Sequence, residues 1–408
     1  MTDLNRWLAH ISGQHDQVID MGLSRMHLMV ERLNLGRPAG SVITIAGTNG
    51  KGTTATAIEA LLSSHGVSVG TTLSPHIKRF NERVRIDGVD ADDARICEAF
   101  AAIEAARADL PLTYFEFGAL AALWCFKDAH VDVAILEIGL GGRLDAFNVV
   151  DADIAVITSI GLDHQEYLGG TLEQIGAEKA GIFRAGQKVV LGADMPLSVW
   201  AACEELALSP VAVGIDLIIS TDPKQGVWQL TLPENETLEL PMGNLSCHNM
   251  AVAVAAASSI VTLNKERLSD VVRRTKMSGR LEIALLQGRT CIHDVGHNSA
   301  GIKFLWHELQ ARDLVPEYIV CCMLDGKDHA SVYKTLAEYS SAPWALVSSH
   351  GDRALSSQQL AQSMNITAPC FDTMQEGLDH ALSATQPGSV ILLFGSFNCV
   401  EQSTWLAH

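Results

Sequence analysis

Gly47-Thr48-Asn49-Gly50-Lys51-Gly52-Thr53 combines small, conformationally permissive residues with one ammonium and two hydroxyls, a set suited to holding a polyphosphate. The loop follows Val42 to Ala46, a β-branched run that reads as a buried strand, and precedes an amphipathic stretch whose buried face is marked by Ile58, Leu61 and Leu62. Strand, tight loop, helix is the order that turns backbone N–H groups and a helix N-terminus toward an anion. Lys51 can reach the outer phosphates, and Thr53 or Thr54 their magnesium. The general pattern G-x-x-x-x-G-K-[ST] fits only in part, because Ile45 stands where the first glycine would be and Gly52 separates the lysine from the threonine. A glycine-rich turn between any strand and any helix competes with the phosphate-loop reading on these residues alone.

Other ionisable groups stand at the ends of apolar runs. Val131 to Ile138 is nearly all apolar, as in a strand covered on both faces by helices, yet carries Glu137 near its end. That carboxylate is either salt-bridged or placed in the crevice outside the carboxyl ends of a parallel sheet, where open α/β folds bind ligands. Asp153 to Ile160 reads as the next buried strand, followed by Gly161-Leu162-Asp163-His164, and Thr171 to Ala180 as a helix carrying Glu178 and Lys179. Taken singly, His164 or Lys179 is more often structural than catalytic. Gly139-Leu140-Gly141-Gly142-Arg143-Leu144-Asp145 fails the dinucleotide pattern, which needs glycine at 144. Thr113-Tyr114-Phe115-Glu116 opens a helix over Phe117 to Lys127, with Thr113 as cap and Glu116 in the capping-box position.

The elements around these groups follow from pattern. Asp3 to Leu35 reads as helical, with Leu23, Met26, Val30 and Leu33 in one stripe ahead of the turn at Gly36-Arg37-Pro38. Gly66 to Leu73 reads as a strand that Pro75 terminates, Ile77 to Gly88 as a solvated loop, and Asp92 to Ala108 as a helix. Lys188 to Leu232 alternates short strands with turns, and Asn249 begins an alanine-rich helix. After Met277-Ser278-Gly279-Arg280 an alternation of strands and helices starts again, from Leu281 to Phe394. This gives an α/β chain with expected domains at 1–280 and 281–408.

With 408 residues, 48% of them hydrophobic and 19% charged, the chain should bury a large core and contain little disorder. No stretch is apolar and long enough to cross a bilayer and no signal pattern opens the chain, so the expected compartment is the cytoplasm. Nine scattered cysteines without a C-x-x-C pair point to reduced, buried thiols. A net charge of -18 opposes nucleic-acid binding, so positive charge serving anionic ligands must be local to the site.

The glycine loop, Leu73-Ser74-Pro75-His76, Asn81-Glu82-Arg83, Thr113 to Glu116, Glu137 to Asp145, Leu162-Asp163-His164, Glu178-Lys179-Ala180-Gly181-Ile182 and His293-Asp294-Val295-Gly296-His297-Asn298 occur in one order along nearly the whole chain. This set resembles the folylpolyglutamate and dihydrofolate synthase branch of the Mur ligase superfamily. The resemblance implies a Mur-ligase-type phosphate-loop ATPase domain followed by a smaller Rossmann-like α/β domain, the two together forming an ATP-dependent ligase. In such a ligase an acceptor carboxylate takes the γ-phosphoryl group and the amine of L-glutamate displaces phosphate; the acceptors are dihydropteroate and reduced folates. The resemblance further implies that Thr48, Asn49, Gly50, Lys51, Gly52 and Thr53 hold ATP, while Ser74, Glu137 and His164 bind magnesium, two ions in all, with potassium as an added cation. Asn249, Arg280 and Asp294 match residues gripping ATP, with His297 beside them; Thr113, Tyr114, Phe115, Glu116, Arg143, Leu144, Asp145 and Ala146 match the pterin site. Lys179 matches a carbamylated lysine. A bare ammonium about 4 Å from a metal charge would be repelled by roughly 4 kcal/mol at an effective dielectric of about 20, whereas a carbamate would be attracted. The implied catalytic group is Lys51, Lys179, His164 and Arg280, in a monomer.

Departures from the family pattern are Ser278 for proline, His293 for an apolar residue, Gly296 for alanine, and Cys322 and Gly326 within a segment that otherwise reads G-M-L-x-D-K-D; Lys327 persists there as a phosphate or glutamate contact. The alternatives are an enzyme with one of the two ligase activities, a UDP-sugar peptide ligase, and a slow nucleotide switch. The switch lacks a guanine-reading N-K-x-D, since Asn264-Lys265 continues as Glu266-Arg267.

Overall fold

The computed structural model describes residues 3–14, 19–351 and 353–396. Its first sheet is built from β1 (Ser41–Ala46), β2 (Val69–Thr72), β3 (Val84–Ile86), β4 (Val89–Asp90), β5 (Val133–Glu137), β6 (Ile154–Ile157), β7 (Lys188–Leu191) and β8 (Val211–Ala212), in the order β4-β3-β2-β5-β1-β6-β7-β8. β1 lies at the centre, parallel to β5 on one side and β6 on the other. Strand order reverses there, the crevice in which open parallel sheets bind ligands.

Side-chain alternation sends one set of strand residues to each face. Val42, Ala46, Leu136 and Ile157 pack under the helices Asp93–Arg107 and Tyr114–Asp128. Ile43, Ile45, Ile135 and Val156 pack under the helices Lys51–Ser64 and Cys247–Ser258. A three-stranded antiparallel ribbon, β9 (Ile218–Asp222), β10 (Val227–Thr231) and β11 (Thr237–Pro241), covers part of that second face.

The second sheet comprises β12 (Glu282–Leu286), β13 (Arg289–Asp294), β14 (Tyr318–Cys322), β15 (Trp344–Val347), β16 (Cys370–Phe371) and β17 (Val390–Gly395), ordered β12-β13-β17-β14-β15-β16. Only β12 runs antiparallel, and helices cover both faces of this two-domain α/β architecture. Among the described residues no helix is long and apolar enough to cross a membrane. Their cysteines are free thiols, all buried except Cys370; Cys399 lies outside the described residues.

Three expectations from pattern are corrected. The long helix over 3–35 is two helices, Leu4–Ser12 and Ser24–Arg32, with 15–18 outside the described residues and Asp20 to Leu23 not helical. Gly22 inside the run is the breaker. The segment 77–88 is not a solvated loop: Phe80–Arg83 forms a 3-10 turn leading into β3, and Phe80, Asn81 and Val84 are buried. Its charge is spent internally, because the Glu82 carboxylate collects the N–H groups of Ile77, Lys78 and Arg79. Finally, 188–232 contains the helix Leu197–Glu205, whose only buried members, Val199 and Cys203, leave too thin a stripe to register as helical.

Gly70, in buried β2, lies under the Phe126 ring; a Cβ there would stand 2.4 Å from Cδ1. Gly70→Ala is expected to cost about 1–3 kcal/mol in urea unfolding, with Phe126→Leu in the same chain recovering part of the loss.

Candidate active site

Three parallel strands deliver their chemistry to one place. β1 ends in the glycine loop, β5 ends at Glu137, and β6 runs into Thr158 to His164. The loop is fastened to the chain after β6: Thr48 N donates to Ser159 O at 2.8 Å, Asn49 N to Ser159 Oγ at 3.0 Å, and the Thr158 hydroxyl to Asn49 O at 2.6 Å. Gly50 caps the helix Lys51–Ser64 with φ 83°, a left-handed conformation that favours glycine, and the Asn249 amide leaves no room for a Cβ there. No side chain caps this helix start, so its first N–H groups face the loop's cavity.

The cavity measures about 360 Å³ and takes walls from both halves of the molecule. The loop residues Thr48 to Gly52, with Ser74, Glu137, His164 and Lys179, line one end, and Arg280 and His297 close it from the second half. Thr113, Phe115, Glu116, Leu144, Asp145 and Ala146 line the other end. A second, smaller cavity adjoins, with Asn49, Gly50, Thr53, Asn249, Arg280 and Asp294 in its walls. The sequence-derived residues therefore converge, with three placed differently. Arg143 is exposed and paired with Glu178 at 2.7 Å; Tyr114 turns its ring to Phe80 and Arg83; Lys327 reaches the site through Asp163.

Both lysine ammonium groups donate to a single carbonyl. Lys51 Nζ lies 3.0 Å from Gly47 O and 3.3 Å from Thr48 O, and Lys179 Nζ lies 3.0 Å from the same Gly47 O. Burial lowers the Lys51 pKa, with the Glu137 charge opposing. Burial first, and then the Lys51 charge, pushes Lys179 down to about 7. Glu137 moves the other way: burial pushes it up to about 7, against the Lys51 charge and the Ser74 N–H, which donates to Oε2 at 2.6 Å. Burial pushes Asp145 up to about 6 although it accepts the N–H groups of Gly139, Leu140 and Phe147 and so folds the loop it ends.

Sequence reasoning gave no role to three wall residues, Asp163, Asp20 and Arg83, or to Arg25, which stands behind Asp20 and Glu116. Asp163 is the hub between the halves: its carboxylate accepts from Asn298 Nδ2 at 3.1 Å and Lys327 Nζ at 3.3 Å, with His297 Nε2 at 3.7 Å. Burial would raise its pKa, but the His297 hydrogen bond and the Lys327 charge hold it far below the ordinary carboxylate range. Asp20 and Arg25 form a chain into the pterin-type end, Arg25 bridging Asp20 at 2.7 Å and Glu116 at 3.0 Å. Glu116 thus serves both readings, closing a capping box with Thr113 while lining the cavity. Arg83 lines the wall beside Ser74, its guanidinium lying over the Phe80 and Tyr114 rings. Gly22, a breaker within the expected helical run, was the available signal for Asp20 and Arg25; Asp163 and Arg83 lie inside the quoted motifs Leu162-Asp163-His164 and Asn81-Glu82-Arg83, but their partners are set by tertiary contacts.

Among the described residues no three His, Cys, Asp or Glu side chains gather closely enough to cage a metal. Ser74, Glu137 and His164 nevertheless offer oxygen and nitrogen donors to one cavity, and the buried Glu137 carboxylate sits opposite the phosphate loop's lysine. That sparse set suits magnesium, which keeps several waters and is held by one or two carboxylates together with phosphate oxygens.

Comparison with known proteins agrees with this geometry. The Mur ligase middle domain matches residues 45–215, and the Mur ligase glutamate ligase domain matches 279–397. The dihydrofolate synthase/folylpolyglutamate synthase of Escherichia coli strain K12 is 37% identical over 97% of this chain and 94% of its own length. That of Haemophilus influenzae is 36% identical over 98% and 96%. The bifunctional folylpolyglutamate synthase/dihydrofolate synthase of Yersinia pestis, solved with AMPPNP and manganese, superposes with a TM-score of 0.91 at 38% identity, covering 99% of this chain and 98% of that one. Escherichia coli FolC in complex with DHPP and ADP gives 0.91 at 36%, covering 99% and 97%. The chain belongs to the dihydrofolate synthase/folylpolyglutamate synthase family of Mur ligases.

Proposed function

We propose that this chain is a bifunctional ATP-dependent ligase that adds L-glutamate to dihydropteroate, giving dihydrofolate, and to reduced folates, giving their polyglutamates. One observation carries the reading: the glycine loop, with its Lys51 and the neighbouring buried Lys179, opens into the same cavity as the aromatic and carboxylate wall of Phe115 and Glu116. A nucleotide's terminal phosphate and the carboxylate of a flat, amino-bearing acceptor are thereby brought together. Relatives solved with DHPP and ADP, and with manganese, AMPPNP and L-glutamate, carry the same ligand classes.

In the proposed reaction an acceptor carboxylate oxygen attacks the γ-phosphorus and ADP leaves, giving an acyl phosphate. The glutamate nitrogen then attacks its carbonyl carbon, and orthophosphate departs as the amide forms. Lys51, which donates to its own loop's carbonyls, turns to the outer phosphates, and the uncapped helix start takes phosphate oxygens through its N–H groups. Arg280, placed between both cavities, meets charge developing on the transferring group, and Asn249 with Asp294 holds the nucleoside end. Phe115 and Glu116 orient the pterin, with Asp145 and Ala146 across from them. Ser74, Glu137 and His164 would hold two magnesium ions, which stabilise the negative charge shared between the phosphate groups. The Lys179 amine, brought to about 7, has a neutral fraction able to add carbon dioxide at physiological pH, and the resulting carbamate would remove one of two crowded cations.

Incubation with ATP, magnesium, L-glutamate and either dihydropteroate or tetrahydrofolate is expected to release ADP in both cases; turnover with one acceptor alone would reduce the enzyme to a single activity, and turnover with neither would end the proposal. Oxygen-18 placed in the acceptor carboxyl should appear in the orthophosphate. Lys51→Ala is expected to lower ADP formation by roughly 10²-fold or more. Lys179→Ala should lose most activity and regain part of it with acetate or formate, which a role in packing alone would not allow.

A further inference from the structure

The nucleoside-side cavity is bounded by a helix whose first turn is set from the other half of the molecule. Ser246 caps the helix Cys247–Ser258, its hydroxyl oxygen accepting the N–H groups of His248 at 3.1 Å and Asn249 at 3.3 Å. With the oxygen so engaged, the hydroxyl has one proton to give, and Glu308 Oε1 receives it at 2.8 Å. Glu308 stands near the end of the helix Ser299–Gln310, which packs in the second half of the chain. Its other oxygen accepts from Arg312 Nη1, and Arg312 Nη2 reaches the carbonyls of Leu245 at 3.0 Å and Gly243 at 3.3 Å, just ahead of Ser246.

The pair is almost sealed, with side-chain exposures of 5% for Glu308 and 6% for Arg312. A buried ion pair is a poor source of net stability, because desolvation offsets most of its attraction, and its best-attested use is to enforce one arrangement over others. The arrangement enforced here leads straight to the phosphate loop. Asn249, whose N–H is fixed by Ser246, lays its amide across Gly50, where a Cβ would stand 2.6 Å from Oδ1. Contacts therefore run without a break from Glu308 through Ser246 and Asn249 to the glycine that starts the loop's helix.

We propose that Glu308 and Arg312 are positioning residues for nucleotide binding, fixing the Ser246 hydroxyl and the carbonyls before it so that docking of the second half sets Asn249 over the phosphate loop. This rests on reading the smaller cavity as the nucleoside end of the ATP site. Ser246 and Glu308 lie in the wall of the smaller cavity and outside the larger one, so the effect falls on nucleotide affinity and on the KM for ATP, with acceptor binding unmoved.

The test is calorimetric titration of a non-hydrolysable ATP analogue with magnesium into the full chain, alongside dihydropteroate titration and thermal unfolding. Ser246→Ala and Glu308→Ala should each weaken the nucleotide roughly tenfold, the worth of one helix cap. Ser246→Thr, which keeps the hydroxyl, should stay within about twofold; Glu308→Gln, which keeps one of the two accepting oxygens, should fall between it and Glu308→Ala; and dihydropteroate affinity should hold in all four. If Glu308→Ala does not fold, Ser246→Ala decides. Folded alanine variants that bind the nucleotide as the unsubstituted chain does would overturn the inference alone, whereas an unsubstituted chain that fails to bind it would overturn the reading of the cavity as well.

Discussion

Two ammonium groups, Lys179 buried and Lys51 half-buried, donate to the carbonyl oxygen of Gly47, and this crowding of like charge is the constraint on which the electrostatics of the site depend. The chain as a whole is strongly negative, so this concentration of positive charge is local and deliberate in its placement. Burial makes both cations costly, and Lys179 answers by titrating near neutrality. Glu137, buried a short way off, is driven toward the same pH from below. Two groups of opposite sign, each moved by burial toward its neutral form, thus stand beside the glycine loop.

The second constraint is water. An acyl phosphate survives only if the amine of the incoming amino acid reaches it before solvent does. Neither half encloses the cavity alone: loop, carboxylates and pterin wall belong to the first sheet, while Arg280 and His297 arrive from beyond it. Asp163 ties the two, gathering Asn298, Lys327 and His297 from the second half onto one carboxylate. Asp163 and His297 themselves line the cavity, so the contact that joins the halves is also part of its wall.

Much of this was legible in the residues. β1, β5 and β6 are buried on both faces and so read as unbroken apolar runs, which exposes the ionisable Glu137 as an exception. The glycine loop and the Thr113 to Glu116 box carry local rules that hold whatever surrounds them. What escaped was decided between distant segments. Asp163 is unremarkable until Lys327 and Asn298 face it, and Asp20 with Arg25 looked like part of a packing helix. The charged run at 77–88 misled because Glu82 satisfies three backbone donors of its own loop, turning apparent solvation into a folded turn. Arg143 shows the reverse error, a residue inside a matching motif whose side chain leaves for the surface and pairs with Glu178.

Every strand of the first sheet comes from the contiguous stretch 41–212, and the ribbon and helices that cover it are complete by Arg274. During synthesis that half can finish its core while the remainder is still being made. The residues that complete the smaller cavity, from Arg280 to Glu308, emerge only afterwards. A growing chain can therefore complete its glycine loop before the opposing wall exists, and the cavity gains that wall only when the later residues fold against it.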